Sequence, residues 1–250
     1  MTPALLVLAV LVAAGAVVAV SAREPRLAAL GVIVALVGSG YLSDPLPGYA
    51  ALAARLVGSV LAGYLVWIAL RHAPVPTAGS SIGWPGAAAI ALVAFVAGWL
   101  GGASVAASLV APGAEGPSLV GFTAGLATGS LVARAALAAS FSLVALAAGP
   151  VLIARDVLRV GLGLLLLVAA AGLLHDALAG GSDDVVELAF ALVIAIGGAG
   201  VAGTVARAIR LQGDLRLRGH PARTTAVRHR AADDAHPSGG ALRRAAPESR

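Results

Sequence analysis

Long apolar runs broken by short polar turns fill most of this chain. Residues 151–211 show the pattern most clearly. Val160 to Leu174 carries no charge, and neither does Leu188 to Ala206. Each run is about the length that a helix rising 1.5 Å per residue needs to cross roughly 30 Å of hydrocarbon. Arg155 and Arg159 close this pair of runs at one end and Arg207 and Arg210 at the other, with Asp176, Asp183 and Asp184 in the turn between. The stretch therefore predicts a helical hairpin in a membrane, basic on one face and acidic on the other.

Earlier runs follow the same logic. Spans are predicted over about 3–22, 27–43, 50–70 and 86–110. Arg23, Glu24, Pro25 and Arg26 break the first pair, Pro45 and Pro47 the second. Trp84, at the end of a Pro/Gly-rich loop, is placed where an interfacial indole belongs. The GWLGGASVAAS stretch of the fourth span supplies small residues for close helix contact.

Residues 118–154 could form one crossing or two. Gly121, Gly125 and Gly129 make a small-residue face, and Pro150 predicts a kink because apolar residues continue to Ala154. The charges favour one crossing. Arg23, Arg26, Arg71, Arg155, Arg159 and the tail then share one side, and Asp44, Glu115, Asp176, Asp183 and Asp184 share the other. Cytoplasmic loops carry the excess arginine in membrane proteins. The expectation is an all-α polytopic bundle of about seven transmembrane helices, N-terminus out and C-terminus in, with 118–130 as an outer lead-in.

Composition agrees. The chain has 250 residues, 59% of them hydrophobic and 12% charged, with mean hydropathy +0.94. A soluble domain carries about 25% charged residues. Continuous rather than alternating apolar runs argue against a β-barrel. There is no cysteine, which excludes disulfides, thiolate metal sites and cysteine nucleophiles. All 17 basic residues are arginine, which with the Ala, Gly and Val content is read as a GC-rich bacterial gene. The expected location is the bacterial inner membrane, multi-pass.

Net charge is +5, but it is uneven. From residue 207 onward there are 10 arginines against 4 acids; residues 1–206 hold 7 against 8. The basic character is mostly a tail, expected to be disordered and drawn to anionic lipid. No aromatic platform accompanies it, so nucleic acid is not an expected partner. The first run lacks a basic n-region and is read as a retained span rather than a cleaved signal.

An offset of 132 positions aligns Arg23 with Arg155, Glu24 with Asp156, Gly31 with Gly163, Leu42 with Leu174, Asp44 with Asp176 and Leu46 with Leu178. With four more residues, Arg71 meets Arg207. The expected organisation is a transmembrane domain over 1–211, in which repeat A (1–72) and repeat B (130–211) flank a linking helix (84–112), followed by the tail at 212–250.

Residues 146–219 carry a further pattern. A span ends in Arg155; VLR at Val157–Arg159 opens the next; Gly163 follows four residues later. After the turn comes VVEL with Glu187, and the last span closes on ARAIR and a short GDL at Gly213–Leu215. This order resembles the C-terminal part of hydrogenase-4 component E, a family related to the small three-helix antiporter-like subunit of respiratory complex I. The likeness extends faintly to residues 10–71 and to ATG at Ala127–Gly129. It implies a membrane subunit of a redox complex that moves protons or sodium, with antiporter-like subunits as partners. The chain also departs from the family. Val168 and Ala169 stand where the family has a mid-membrane glutamate and its neighbour, and Leu192 and Val193 where it tends to have an aspartate. No Asp, Glu, Lys or His lies in the middle of any predicted span. Ion relays need such groups in the membrane interior. The expectation is therefore a non-catalytic subunit of an oxidoreductase complex that packs beside ion-conducting partners. A small stand-alone transporter working as a homodimer is the alternative.

Three residues are candidates for an ion path or a subunit contact: Glu187, Arg55 and Arg134. Glu187 is either the mouth of a proton path or an interfacial carboxylate at a helix N-terminus. Arg55 and Arg134, each about a turn inside a span, either snorkel to the interface or pair with carboxylates, Glu187 among them. His72 and His175 lack a second ligand at metal spacing and are read as interfacial. No catalytic residue, cofactor-binding loop or metal site is expected: the serines lack a nucleophile-elbow context, and no glycine set follows a strand.

Overall fold

The computed structural model describes residues 3–42, 48–71, 84–110, 131–154, 156–179 and 183–212. The expectations for Asp44, His72, Glu115, Arg155, the lead-in at 118–130 and the tail from 213 fall outside these residues, as does the Trp84 side chain.

The described residues are helical, in the order α1 (Pro3–Ser21), α2 (Pro25–Ser39), α3 (Tyr49–Leu70), α4 (Trp84–Val110), α5 (Leu131–Ile153), α6 (Val157–Ala179) and α7 (Asp184–Gln212). Five of them, α3 to α7, are long and apolar enough to cross a membrane. α2, with 15 residues, reaches only about 22 Å at 1.5 Å per residue. Pro25 opens α2 at a position where its missing N–H costs nothing, behind Glu24 in an extended conformation. Pro150 lies inside α5, which continues past it to Ile153. Ser21, Ser39, Ser140 and Ser142 are buried and satisfy their hydroxyls on their own helices. Ser140 and Ser142 of α5 donate to the carbonyls of Leu137 and Ala138, at 2.8 and 2.9 Å.

Small residues set the packing. A methyl group at Gly31 of α2 would sit 2.6 Å from both Gly15 O and Ala19 N of α1. Gly98 and Gly102 of α4 lie in similar contact with the backbone of Ser142 and Ala138 in α5. Gly58 of α3 meets Ala191 O of α7 at 2.7 Å, and Gly198 of α7 meets the Cα of Ala62 at 2.4 Å, measured from the same notional methyl. Backbones this close gain dispersion contacts that lipid tails cannot supply, which is how helices associate where the hydrophobic effect is absent.

The same contacts give the directions. Along α3 and α7 the residue numbers rise together, so these helices run parallel. α1 against α2, α2 against α3, α4 against α5 and α6 against α7 pair rising with falling numbers, and α5 and α6 pack along each other on either side of the short break between Ile153 and Val157, so these neighbours are antiparallel. α1, α3, α5 and α7 thus point one way, and α2, α4 and α6 the other. α6 is central, touching α1, α2, α5 and α7; α4 is peripheral and touches α1 and α5.

The 132-residue offset recurs in these contacts. Gly31 packs on Gly15 and Ala19; Gly163 packs on Ala147 and Val151, their counterparts. α1 touches α5, α2 touches α6 and α3 touches α7, so each helix of the first three meets its counterpart.

Candidate functional site

The buried charges gather at one end. α3 and α7 begin there, and α6 ends there. Arg55 is the seventh residue of α3, Glu187 the fourth of α7, and Asp176 the fourth from the end of α6. Arg55 is 1% exposed, Asp176 3% and Glu187 0%. Burial of this degree is rare for charged side chains unless they are paired. Arg55 Nη1 donates to Glu187 Oε1 at 2.5 Å and lies 3.7 Å from Asp176 Oδ2. One nitrogen thus holds two carboxylates from two other helices.

Glycines make room for this side chain. A methyl at Gly40, just past α2, would lie 3.3 Å from Arg55 Cδ and Nε; one at Gly172 of α6 would lie 3.2 Å from Nη2. Arg55 therefore runs between α2 and α6 with its guanidinium across Gly172. His175 stands at the rim. Its side chain is 37% exposed, and its Nδ1 lies 3.8 Å from Asp176 Oδ1. Its ring packs on Phe190 of α7, with centroids 6.2 Å apart. One turn further in from Arg55, the Ser59 hydroxyl is buried without a hydrogen-bond partner among the described residues. Deeper still along α3 come Ala62 and Val66, buried and apolar.

Outside the cluster, Asp184 Oδ1 accepts the Gly48 N–H at 2.9 Å, fastening the start of α3 to the start of α7. Asp183 and Asp184 are themselves exposed.

Of the three sequence candidates, the structure brings Arg55 and Glu187 together. Snorkelling requires the arginine head to reach water, and at 1% exposure Arg55 does not. Arg134, in the first turn of α5, lies at the same end of the bundle but makes no ion pair with a described residue; it is half-buried, with its Nε sequestered. Sequence reasoning missed Asp176, which it placed in the turn. A signal was present: Ala177, Leu178 and Ala179 continue the apolar run past Asp176, so the aspartate belongs to the last turn of a helix.

Every described ionisable residue within a helix lies within about two turns of a helix end. Among the described residues, no group of three His, Cys, Asp or Glu side chains is placed to hold a metal ion. No family model, curated protein or solved structure matches the chain.

Proposed function

We propose that the chain is a seven-span membrane subunit, N-terminus outside and C-terminus inside, that packs beside antiporter-like subunits of a complex-I-like or hydrogenase-4-like redox complex. In this reading it catalyses nothing by itself and sits in a bacterial inner membrane. The observation that carries the reading is the distribution of charge. Five helices are long and apolar enough to cross a membrane, yet their ionisable groups stay near the ends. A chain that moved ions alone would need polar groups at mid-depth. The component-E-like order of residues 146–219 names the kind of assembly. The contacts between counterpart helices support a duplicated three-helix unit, with α4 as the linking helix.

The parallel arrangement of two three-helix units also suits a small carrier working as a homodimer, since parallel repeats recur in transporters. One experiment separates the readings. The tagged chain is purified in mild detergent from its native membrane, and its partners are identified by mass spectrometry. Antiporter-like and redox subunits are the expected companions. Recovery of a lone chain or a homodimer refutes the complex and favours the carrier.

A further inference from the structure

We propose that Arg26 and Arg71 form a binding site for the phosphate of an anionic glycerophospholipid, whose acyl chains lie along the α2–α3 flank beside it. The inference rests on these helices lying in a membrane, not on membership of a complex.

Two arginines meet at the end of the bundle opposite the buried cluster. α2 begins there and α3 ends there. Arg26 is the second residue of α2, and Arg71 is the first past α3. Arg26 Nη2 donates to the Arg71 carbonyl at 3.4 Å. That single long bond occupies one of the five donors of a guanidinium. Both residues are exposed, and so is Arg23 in the turn just before α2. Helix dipoles do not offset this charge, because the start of α2 and the end of α3 carry opposite partial charges.

The chain supplies little to neutralise it. Glu24 is the acid nearest in sequence to Arg23 and Arg26. It forms no side-chain cap on α2 and no ion pair among the described residues. Residues 72–83, which follow Arg71, contain no Asp or Glu. From residue 207 onward arginines outnumber acids 10 to 4, so the tail brings no net negative charge. Arg23, Arg26 and Arg71 against Glu24 leave a net charge of +2.

The adjoining surface points to a lipid. Ile33 packs on Gly63 and Arg55 on Gly40, so numbers along α2 fall as those along α3 rise. This register puts Leu30 at the level of Trp67, one turn from the arginine pair toward the middle of the bundle. Leu30 is 49% exposed, Ile68 41% and Tyr64 53%, with Tyr64 stacked on Trp67. Amphipathic rings settle at headgroup depth in a membrane. A cationic head beside an exposed apolar flank matches an amphiphile with a negative head. A guanidinium presents parallel N–H donors that fit two oxygens of one phosphate. Phosphatidylcholine suits the site less well, since its headgroup brings a cation of its own.

Native mass spectrometry of the full chain in a neutral detergent tests this. Phosphatidylglycerol should bind at least about tenfold more tightly than phosphatidylcholine. In Arg26→Gln/Arg71→Gln the preference should fall to within about twofold while the helical circular dichroism is unchanged. Arg71→Gln alone keeps the backbone carbonyl that Arg26 caps, and serves should the double variant fail to fold; it should lower the preference about fivefold. Arg243→Gln/Arg244→Gln, in the tail, should leave the preference intact. Equal binding of the two lipids overturns the proposal. So does a preference that survives either Arg71 variant in folded protein, or one that is lost in the tail variant. Release of bound phosphatidylglycerol by millimolar inorganic phosphate overturns the lipid as occupant and assigns the site to free phosphate. None of these outcomes bears on which subunits co-purify with the chain.

Discussion

Arg55→Met removes the cation from a site that keeps two buried carboxylates. The cost follows from burial. The side chains of Arg55 and Glu187 are 2% and 0% exposed, and they meet at 2.5 Å. Removing one partner of a buried pair costs about 3–5 kcal/mol, because the other charge is left uncompensated. Exposed pairs contribute about 0.2–1 kcal/mol. At 1.4 kcal/mol per decade, a loss of about 4 kcal/mol shifts the unfolding equilibrium by nearly 10³-fold. Glu187→Gln should cost less, about 2 kcal/mol, because Asp176 remains near the guanidinium. The double variant should lose less than the sum of the single variants, with a coupling of about 2 kcal/mol, inside the range for residues in contact. The measurement is reversible unfolding of the full chain in bicelles or mixed micelles, driven by SDS and followed by circular dichroism. A loss below about 1 kcal/mol in Arg55→Met, or a coupling below about 0.5, would refute the buried cluster and return Arg55 to a snorkelling role.

Two further predictions concern glycine. Gly31→Ala and Gly198→Ala place a methyl 2.6 Å from α1 backbone and 2.4 Å from the Ala62 Cα, where neither side can yield without helices separating. Each should cost about 2–3 kcal/mol by overpacking, whereas Gly200→Ala and Gly203→Ala, with nothing within 4 Å, should change the same SDS titration by less than about 0.5 kcal/mol. Gly172→Ala crowds only Arg55 Nη2, at 3.2 Å. Its cost, about 1 kcal/mol by the lower end of overpacking, should vanish in an Arg55→Met background; an undiminished cost would show that Gly172 serves backbone packing instead.

Helix class was legible because charge in hydrocarbon is costly. A chain that must cross a membrane keeps its runs free of ionised groups, and the clean stretches Val160–Leu174 and Leu188–Ala206 sit inside α6 and α7. Helix ends were legible within a few residues where Pro25 or an acidic turn interrupts a run. Proline was legible too: Pro150, read as lying inside a span because apolar residues continue to Ala154, stays within α5, which runs on to Ile153.

The sequence alone also singled out Arg55, which lies inside an apolar run, and Glu187, which opens one. It could not say that they touch. A helix that is apolar on all sides has no stripe to reveal which face turns inward, so neither the rotation of α3 nor its pairing with α7 can be read from periodicity. Only the tertiary structure decided that Arg55 meets a carboxylate 132 residues away and that Asp176 turns in from α6 to join them. The backbone contacts of Gly31, Gly58 and Gly198 decide those rotations, because close approach is possible only on the face where a side chain is missing. Sequence determined which segments are long and apolar enough to cross a membrane; the packing of small residues determined which charges meet at their ends.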